Sequence, residues 1–284
     1  MRLMRSGSLG CTLAVSILSA GLLAQAQQPR QDPHAQALVR SAVQAELIGD
    51  RDDHSRWRYR TTVSKPEGEF VYSVVETDHG SVKKKIYNNG QPLNPTQLNE
   101  ETQRIDSFVH DPSQQAKQRK DSEADDKRAE NMLRMLPDAF LWSIKSDTPE
   151  ATTFAFTPDP NFSAPSMEAR VFAAMAGEIV VSKPDNRLQT IKGRLIHDVK
   201  FGFGLLGHLD QGGTFNVERR QLAPSVWQIT ESHVHITGRA LLFKTIGEQE
   251  DEVKTDFRPT PPKTTLEQAA NLLRSEPTSF SAQR

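Results

Sequence analysis

The sequence predicts an α+β protein with one strongly curved antiparallel sheet, a half-barrel, and helices packed on its concave face. Between residues 177 and 258, strand patterns follow one another with turn residues about every 8–15 positions, which is typical of an antiparallel meander. Residues 57–87 carry three further alternating runs separated by turn-forming residues. Helical periodicity is confined to residues 34–48, 94–136 and 265–273, so helices do not alternate with strands as a parallel sheet requires.

The first 26 residues have the pattern of a secretory signal peptide. A short basic start precedes an uncharged, mostly apolar run over residues 9–24, and Ala24-Gln25-Ala26 favours cleavage before Gln27. The run is shorter than the roughly 20 residues that a membrane span needs, which disfavours a retained anchor. Cys11 lacks the preceding apolar run of a lipoprotein signal. We therefore expect a bacterial periplasmic or secreted protein with no membrane span after cleavage.

Composition limits the classes of function. Lys and Arg number 35 and Asp and Glu 36, and the net charge of −1 becomes −3 when the two arginines of the leader are removed. Such a balance provides no field to attract nucleic acid or an anionic membrane, so neither is expected as a main partner. Cleavage also removes the only cysteine, so the mature chain has no disulfide and no thiol nucleophile and depends on its hydrophobic core.

A single curved-sheet domain is expected over residues 27–263. Its first element is a helix over residues 34–48, which starts at Asp32-Pro33 because Asp caps helices and Pro suits their first turn, and which ends at Gly49. Turn-forming residues separate the three strands that follow, over residues 57–63, 70–77 and 82–87.

Residues 94–136 form a charged helical insertion. Mixed charges fill 15 of the 31 positions from 100 to 130, and Asp111-Pro112 divides the segment into two helices. The second helix is almost wholly polar before residues 129–136, which predicts a solvated helix whose last turns pack on a core. The alternative is a helix that docks a protein partner through residues 113–130. The sequence does not distinguish the two.

The C-terminal half is predicted to be mostly strands. Residues 137–165 are rich in Pro and indicate a loop around a sheet edge with one strand at 152–156. Residues 264–284 are expected to form a short helix and a frayed tail. The strands predicted between these two segments cover residues 178–182, 187–203, 214–220, 226–236, 240–246 and 253–258.

Two motifs associated with cofactors or catalysis stand in the wrong structural context. Residues 202–207 match Gly-x-Gly-x-x-Gly, but a dinucleotide site needs that loop to open a helix, and a strand is predicted next. Ser81-Val82-Lys83-Lys84 matches the Ser-x-x-Lys pattern of acylating enzymes but alternates like a strand. We therefore expect no cofactor and no catalytic residue.

His233 and His235 are candidate metal ligands. Strand alternation places both imidazoles on one face, as a zinc site requires, so a zinc-dependent hydrolase is the lesser alternative function. The competing interpretation is two exposed polar positions opposite the apolar Val234 and Ile236. On that interpretation, which we favour, the chain binds no metal.

The order of elements resembles that of the LolA/LolB-like lipoprotein-carrier superfamily. A signal peptide, a helix, three strands, intervening helices and a long meander occur in this order, and the segment from Thr214-Phe215-Asn216-Val217 to Trp227-Gln228-Ile229 resembles a strand pair of those proteins. The resemblance implies a half-open barrel around helices and a diffuse apolar lining that binds acyl chains. Other segments, among them Lys200-Phe201-Gly202-Phe203-Gly204, are similar to uncharacterised exported bacterial proteins.

The predicted function is a non-catalytic periplasmic or secreted binding protein that carries lipid or lipoprotein acyl chains. Its partner would be a lipid or a lipidated protein, and its oligomeric state stays open. Large apolar residues from several strands are expected to line the groove, although each has the competing interpretation of an ordinary core residue. The candidates are Trp57, Tyr59, Phe70, Tyr72, Phe201, Phe215 and Trp227.

Overall fold

A computed structural model describes residues 30–201, 207–240 and 244–276 of the 284-residue chain. Within these ranges, five helices and a 13-stranded antiparallel sheet form the protein. The predicted α+β class is therefore confirmed. The predicted signal peptide and the predicted tail beyond residue 276 lie outside the described residues.

Residue bounds define the labels used below. The helices are α1 (Pro33–Asp52), α2 (Pro95–His110), α3 (Pro112–Ala139), α4 (Met167–Phe172) and α5 (Leu266–Ser275). The first strands are β1 (Trp57–Lys65), β2 (Gly68–Thr77), β3 (Gly80–Asn88), β4 (Gln91–Pro92), β5 (Phe140–Asp147) and β6 (Ala151–Pro158). The remaining strands are β7 (Met175–Ser182), β8 (Arg187–Leu195), β9 (Val199–Phe201), β10 (Gly207–Leu209), β11 (Thr214–Ala223), β12 (Val226–Ala240) and β13 (Lys244–Pro259). In the described ranges, no helix is both long enough and apolar enough to cross a membrane.

The sheet is open and has two separate edges. Its hydrogen-bonded order is β4-β3-β2-β1-β13-β12-β11-β8-β7-β6-β5, so β4 and β5 form the edges and the first strand pairs with the last. β9 and β10 form a short hairpin that pairs with the far end of β12. Most neighbours in the sheet are also consecutive in the chain, as a meander of antiparallel hairpins requires.

Strand register separates the two faces of the sheet, because directly opposed residues point to the same side. One row of opposed residues crosses the sheet through Val63, Glu252, Ser232, Val217, Ile191, Ile179 and Phe154. Ile179 and Phe154 belong to the main core, which α1 covers. We call this side of the sheet the α1 face and the opposite side the α5 face.

Each face carries its own hydrophobic core. The main core fills the space between α1 and strands β5–β8, and its largest fully buried side chains include Trp142, Phe140 and Phe154. The second core packs α2 and α5 against β2 and β3 and includes Val75, Val82, Ile105, Leu266, Ala269, Ala270 and Leu273. The start of α1 is capped at Asp32 as predicted, and Asp111, predicted as a break between two helices, also caps the second of them. Asp32 accepts hydrogen bonds from two N–H groups of α1, and Asp111 accepts two from α3.

Two predicted element ends are wrong because of contacts distant in sequence. α1 continues through Gly49 to Asp52, and a Cβ at position 49 would lie 2.1 Å from the Arg187 guanidinium. The glycine makes room for a buried arginine and does not end the helix. β12 likewise continues through Gly238, where a Cβ would lie 2.2 Å from the His208 carbonyl oxygen of β10. The predicted strand over 240–246 is accordingly divided between β12 and β13.

Residues 140–147 form the edge strand β5, which corrects the predicted loop over this segment. Trp142 lies opposite Phe156 of β6, and both rings are buried in the main core. The five residues of β5 after Trp142 are exposed, so its alternation is too short to be recognised from sequence. The long run predicted over 187–203 is also interrupted, because β8 ends at Leu195 and β9 begins at Val199.

Candidate functional site

A cavity of about 990 Å³ separates α3 from the middle of the sheet. It lies on the α1 face over β8, β11 and β12, and is bounded by the last turn of α1 and by the turn between β2 and β3. Its volume is at the upper end of the range for small-molecule sites. The cavity is therefore the candidate functional site.

The floor of the cavity is apolar. Ile191 and Val217 lie directly opposite each other on β8 and β11, so both point to the α1 face. Ile229 of β12 is 42% exposed, an open position for a large apolar side chain. The floor is completed by Leu188, Phe215 and Trp227, with Phe172 and Met175 at its side. Leu188, Met175 and Trp227 are buried, whereas Ile191, Phe215, Val217 and Ile229 are at least partly exposed. The exposed apolar surface stays in contact with water until a ligand covers it.

α3 forms the roof and is held at both ends. Near its start, the side-chain amide of Gln118 donates to the Ser81 carbonyl and accepts from the Ser81 N–H, each at 3.0 Å. Near its end, Leu136 and Ala139 are buried in the main core. Every residue from 119 to 131 is exposed. The middle of α3 therefore bridges the cavity without packing on the sheet.

The residues of α3 that face the cavity explain why it is open. They recur at intervals of three and four and so form one stripe on the helix: Arg119, Ser122, Glu123, Asp126, Ala129, Met132, Leu133 and Leu136. The first half of the stripe is polar and the second half is apolar. Charged groups cannot pack on an apolar floor without losing hydration, so only the second half packs on the sheet.

The lining of the cavity carries an excess of negative charge. Six carboxylates and three guanidinium groups contribute, from Asp50, Asp53, Glu76, Asp78, Glu123 and Asp126 and from Arg56, Arg119 and Arg219. Arg56 lies 3.3 Å from Asp78. Glu123 and Asp126 make no ion pair within the described part of the chain, although other acids of α3 do. The site is thus an apolar floor beneath an acidic roof.

A buried ionic cluster joins α1 to the sheet beside the cavity. Glu46 is fully buried and accepts hydrogen bonds from Arg187 Nη2 at 2.9 Å, from the Leu188 N–H at 2.5 Å and from Arg219. Asp50, one turn later, lies 3.4 and 3.3 Å from the same two guanidinium groups. Partial burial raises the pKa of Asp50. Because both arginines are engaged, the cluster fixes the end of α1 and offers no free cation to a ligand.

Glu76 of β2 is a second half-buried carboxylate in the lining. It accepts the Trp57 N–H at 3.0 Å and also accepts a hydrogen bond from the Tyr59 hydroxyl. Burial raises the pKa of Glu76. Burial raises the pKa of Tyr59 as well, and the neighbouring charge of Glu76 adds to that effect.

The seven aromatic residues that were predicted to line a groove have different environments in the structure. Phe215 and Trp227 line the cavity. Trp57 is buried away from it, with its ring edge-on to Phe257 at 6.2 Å between centres. The side chain of Phe201 lies outside the described residues.

The other three aromatic candidates lie on the α1 face beneath lysine ammonium groups. The nitrogen-to-ring-centre distances are 5.6 Å for Lys254 over Tyr59, 4.8 Å for Lys85 over Phe70 and 3.8 Å for Lys83 over Tyr72. Such cation–π contacts cover the ring faces. None of these three rings belongs to the lining of the cavity.

Sequence reasoning missed several lining and supporting residues, although signals for some were present. Ile191, Val217 and Ile229 occupy alternate positions of predicted strands, but alternation does not say which strands meet under α3. Glu46 stands in the apolar stripe of α1, which indicates a buried carboxylate with a partner elsewhere. The acidic stripe over 119–126 follows the 3–4 spacing of a helix face.

His233 and His235 lie on the α5 face, on the far side of the sheet from the cavity. Both contact Asp251 of β13, His233 through Nδ1 at 2.7 Å and His235 through Nε2 at 3.1 Å. The hydrogen bond that His233 donates to the Asp251 carboxylate raises the pKa of His233, and the hydrogen bonds that Asp251 accepts from the two imidazoles lower the pKa of Asp251. Among the described residues, no group of three or more His, Cys, Asp or Glu side chains is placed to hold a metal ion.

The glycine motif and the Ser-x-x-Lys motif both include residues of β-strands. In the glycine motif, residues 202–206 lie outside the described residues, and Gly207 opens strand β10, not a helix. Ser81 and Lys84 lie on β3, where Lys84 Nζ donates to the Leu273 carbonyl at 2.8 Å.

Comparison of the chain with known protein families and with curated proteins found no match. The cavity itself is therefore the basis for a functional proposal.

Proposed function

We propose that this chain is a non-catalytic, exported binding protein that carries the acyl chain of a lipid or lipoprotein in the cavity beneath α3. The observation that carries the proposal is the apolar floor, which the polar half of the α3 stripe leaves uncovered. Placing an acyl chain there removes apolar surface of both partners from water, and it needs no reacting group.

In this proposal the sheet is a half-barrel with α1 and α3 on its concave face, as in the LolA/LolB-like carriers that the element order resembles. Helix length supports the curvature. From Gln118, beside β3, to Ala139, which precedes β5, the helix is about 32 Å long. The sheet between β3 and β5 contains nine strand spacings and would cover about 43 Å if flat. A sheet that bends towards α3 accounts for the shorter distance.

Export is part of the proposal and is supported by the leader pattern of residues 1–26. N-terminal sequencing of protein recovered from the periplasm or the culture medium tests it. The mature chain should begin at Gln27. A chain recovered from the cytoplasm with its leader intact would contradict export without affecting the cavity.

Native mass spectrometry and displacement of a fluorescent fatty acid test the binding of acyl chains. The matched variants are Ile229→Glu and Ile144→Glu, since both isoleucines are similarly exposed, 42% and 38%, and only Ile229 lines the cavity. We expect Ile229→Glu to weaken probe binding by about tenfold or more, because a carboxylate would have to lose its hydration beside the acyl chain. Ile144→Glu should leave binding unchanged. A protein that co-purifies with no lipid and binds no probe would overturn the proposal.

A second candidate function is the docking of a protein partner through residues 113–130, favoured by the exposure of α3 on all sides over 119–131. Two ion pairs within the helix, Lys117 with Asp121 and Arg128 with Asp125, already neutralise much of the charge on this surface. Partner binding that is lost in the variant Lys120→Glu with Lys127→Glu, in a protein that binds no lipid, would favour docking.

A further inference from the structure

The cavity also specifies the charge of its occupant. Building on the function proposed above, we propose that the occupant is a single-chain amphiphile with a positively charged headgroup. Its acyl chain lies on the floor formed by β8, β11 and β12, and its headgroup lies under α3 beside Glu123 and Asp126.

Charge complementarity is the first argument. Glu123 and Asp126 face the cavity, and neither makes an ion pair in the described part of the chain. Of the three guanidinium groups in the lining, Arg56 and Arg219 are held by carboxylates, which leaves Arg119 to offset the acidic roof. A cationic headgroup would supply the missing countercharge, whereas a fatty acid carboxylate would meet an excess of like charge.

Glu76, the half-buried carboxylate of β2 in the lining, supports the same sign of charge. Its carboxylate lines the cavity, and burial raises its pKa. A cation in the cavity would favour its ionised form, so binding would be strengthened by Glu76 as well as by the roof.

The dimensions of the site favour a small amphiphile over a peptide helix. The volume of about 990 Å³ is that of a small-molecule site. A peptide helix is about 10–12 Å wide with its side chains. It would have to lift a roof that is anchored at Gln118 and at Leu136.

Three probes with the same dodecyl chain length test the inference on the mature full chain. Dodecyltrimethylammonium, monododecanoylglycerol and dodecanoate are titrated by calorimetry below their micelle-forming concentrations at low ionic strength. One unpaired carboxylate about 8 Å from a monovalent headgroup changes affinity by about twofold. We therefore expect the cation to bind about tenfold more tightly than the anion, with the neutral probe between them. The preference should shrink at high salt, because the roof is exposed.

Two double variants of equal charge locate the effect. Glu123→Gln with Asp126→Asn removes both carboxylates of the roof and leaves Arg119 as its charged residue, whereas Asp121→Asn with Asp125→Asn removes the same charge from parts of α3 outside the lining. The first variant should reduce the cation preference to about twofold or less, and the second should retain it. Equal affinities for cation and anion, a tighter anion, or equal effects of both variants would overturn the inference while leaving acyl-chain binding intact. Binding of none of the three probes would instead overturn the proposed function.

Discussion

Two helices cover the same face of one sheet with opposite results. α1 places Val39 and Val43 against the sheet and closes the main core. α3 places Glu123 and Asp126 over an apolar floor and leaves a cavity. Even the carboxylate in the α1 stripe, Glu46, is paired with two arginines from the strands. The comparison teaches that the residues facing the sheet, together with the partners that the strands provide, decide whether a covering helix makes a core or a site.

The largest effect on stability is expected when Glu46, the paired carboxylate of α1, is removed. Glu46→Ala leaves the Arg187 side chain, which is 7% exposed, without its main buried partner. Removing one member of a buried ion pair costs about 3–5 kcal/mol of unfolding free energy. Urea unfolding followed by circular dichroism measures it. The control Asp52→Ala removes an exposed pair with Arg51 and should change stability by less than about 0.5 kcal/mol. A loss below 1 kcal/mol for Glu46→Ala would contradict the account.

Replacing polar residues of α3 that face the cavity with apolar ones, as in the buried face of α1, should close the cavity. In the double variant Ser122→Leu with Asp126→Leu, two apolar side chains face the floor and can pack on it. We expect about 1–2 kcal/mol of added stability and loss of fatty-acid probe binding. The control, Asp121→Leu with Asp125→Leu, alters parts of the helix outside the cavity lining and should leave probe binding intact. Undiminished binding by the first variant would show that the stripe does not control the cavity.

Gly49→Ala tests the close approach of α1 to Arg187. Helix propensity alone would make alanine about 1 kcal/mol more favourable. Since the new Cβ would lie 2.1 Å from a buried guanidinium atom, we expect instead a loss of about 1–2 kcal/mol. Thermal unfolding decides the sign. Ala37→Gly, at an exposed position of α1, calibrates the propensity in the same helix. A stabilised Gly49→Ala protein would contradict the explanation for the continuation of α1.

The smallest effect on stability is expected for Glu76, which lines the cavity. Burial raises its folded-state pKa above the ordinary 4.5, so its contribution to stability is fully present below pH 4.5 and is lost as the pH rises through the folded-state value. Glu76→Gln cannot ionise and should therefore be more stable than the parent at pH 7 and equal to it near pH 4. Urea unfolding at both pH values measures this. Glu67→Gln, in the exposed turn between β1 and β2, should show no such difference.

Elements marked by local chemistry could be predicted from sequence. Helix starts were predicted at Asp32-Pro33, after Asp111-Pro112 and at Thr265, and in the structure the side chains of Asp32, Asp111 and Thr265 cap these helices. These signals depend on residues within one turn of each other. The same holds for the turn at Lys65-Pro66-Glu67-Gly68, which connects β1 to β2 as predicted.

Features that depend on distant contacts could not be predicted. Gly49 and Gly238 resemble element ends until the approaching Arg187 guanidinium and β10 backbone are known. Phe215 and Trp227 were recognised as large apolar strand residues, but nothing in their local sequence distinguishes a cavity wall from a core. That distinction depends on Glu123 and its neighbours, which lie about a hundred residues earlier in the chain.

The double anchoring of α3 gives the helix a mechanical role. Between its two anchors, Gln118 and Leu136, the helix behaves as a rigid rod of roughly 27 Å, because its own hydrogen bonds and ion pairs maintain its middle without contacts with the sheet. A rigid helix that is fixed at both ends sets the distance between β3, which holds its start, and the main core, which holds its end. The width of the opening is therefore set by the number of residues in α3, so that adding or removing one helical turn would change the aperture by about 5 Å.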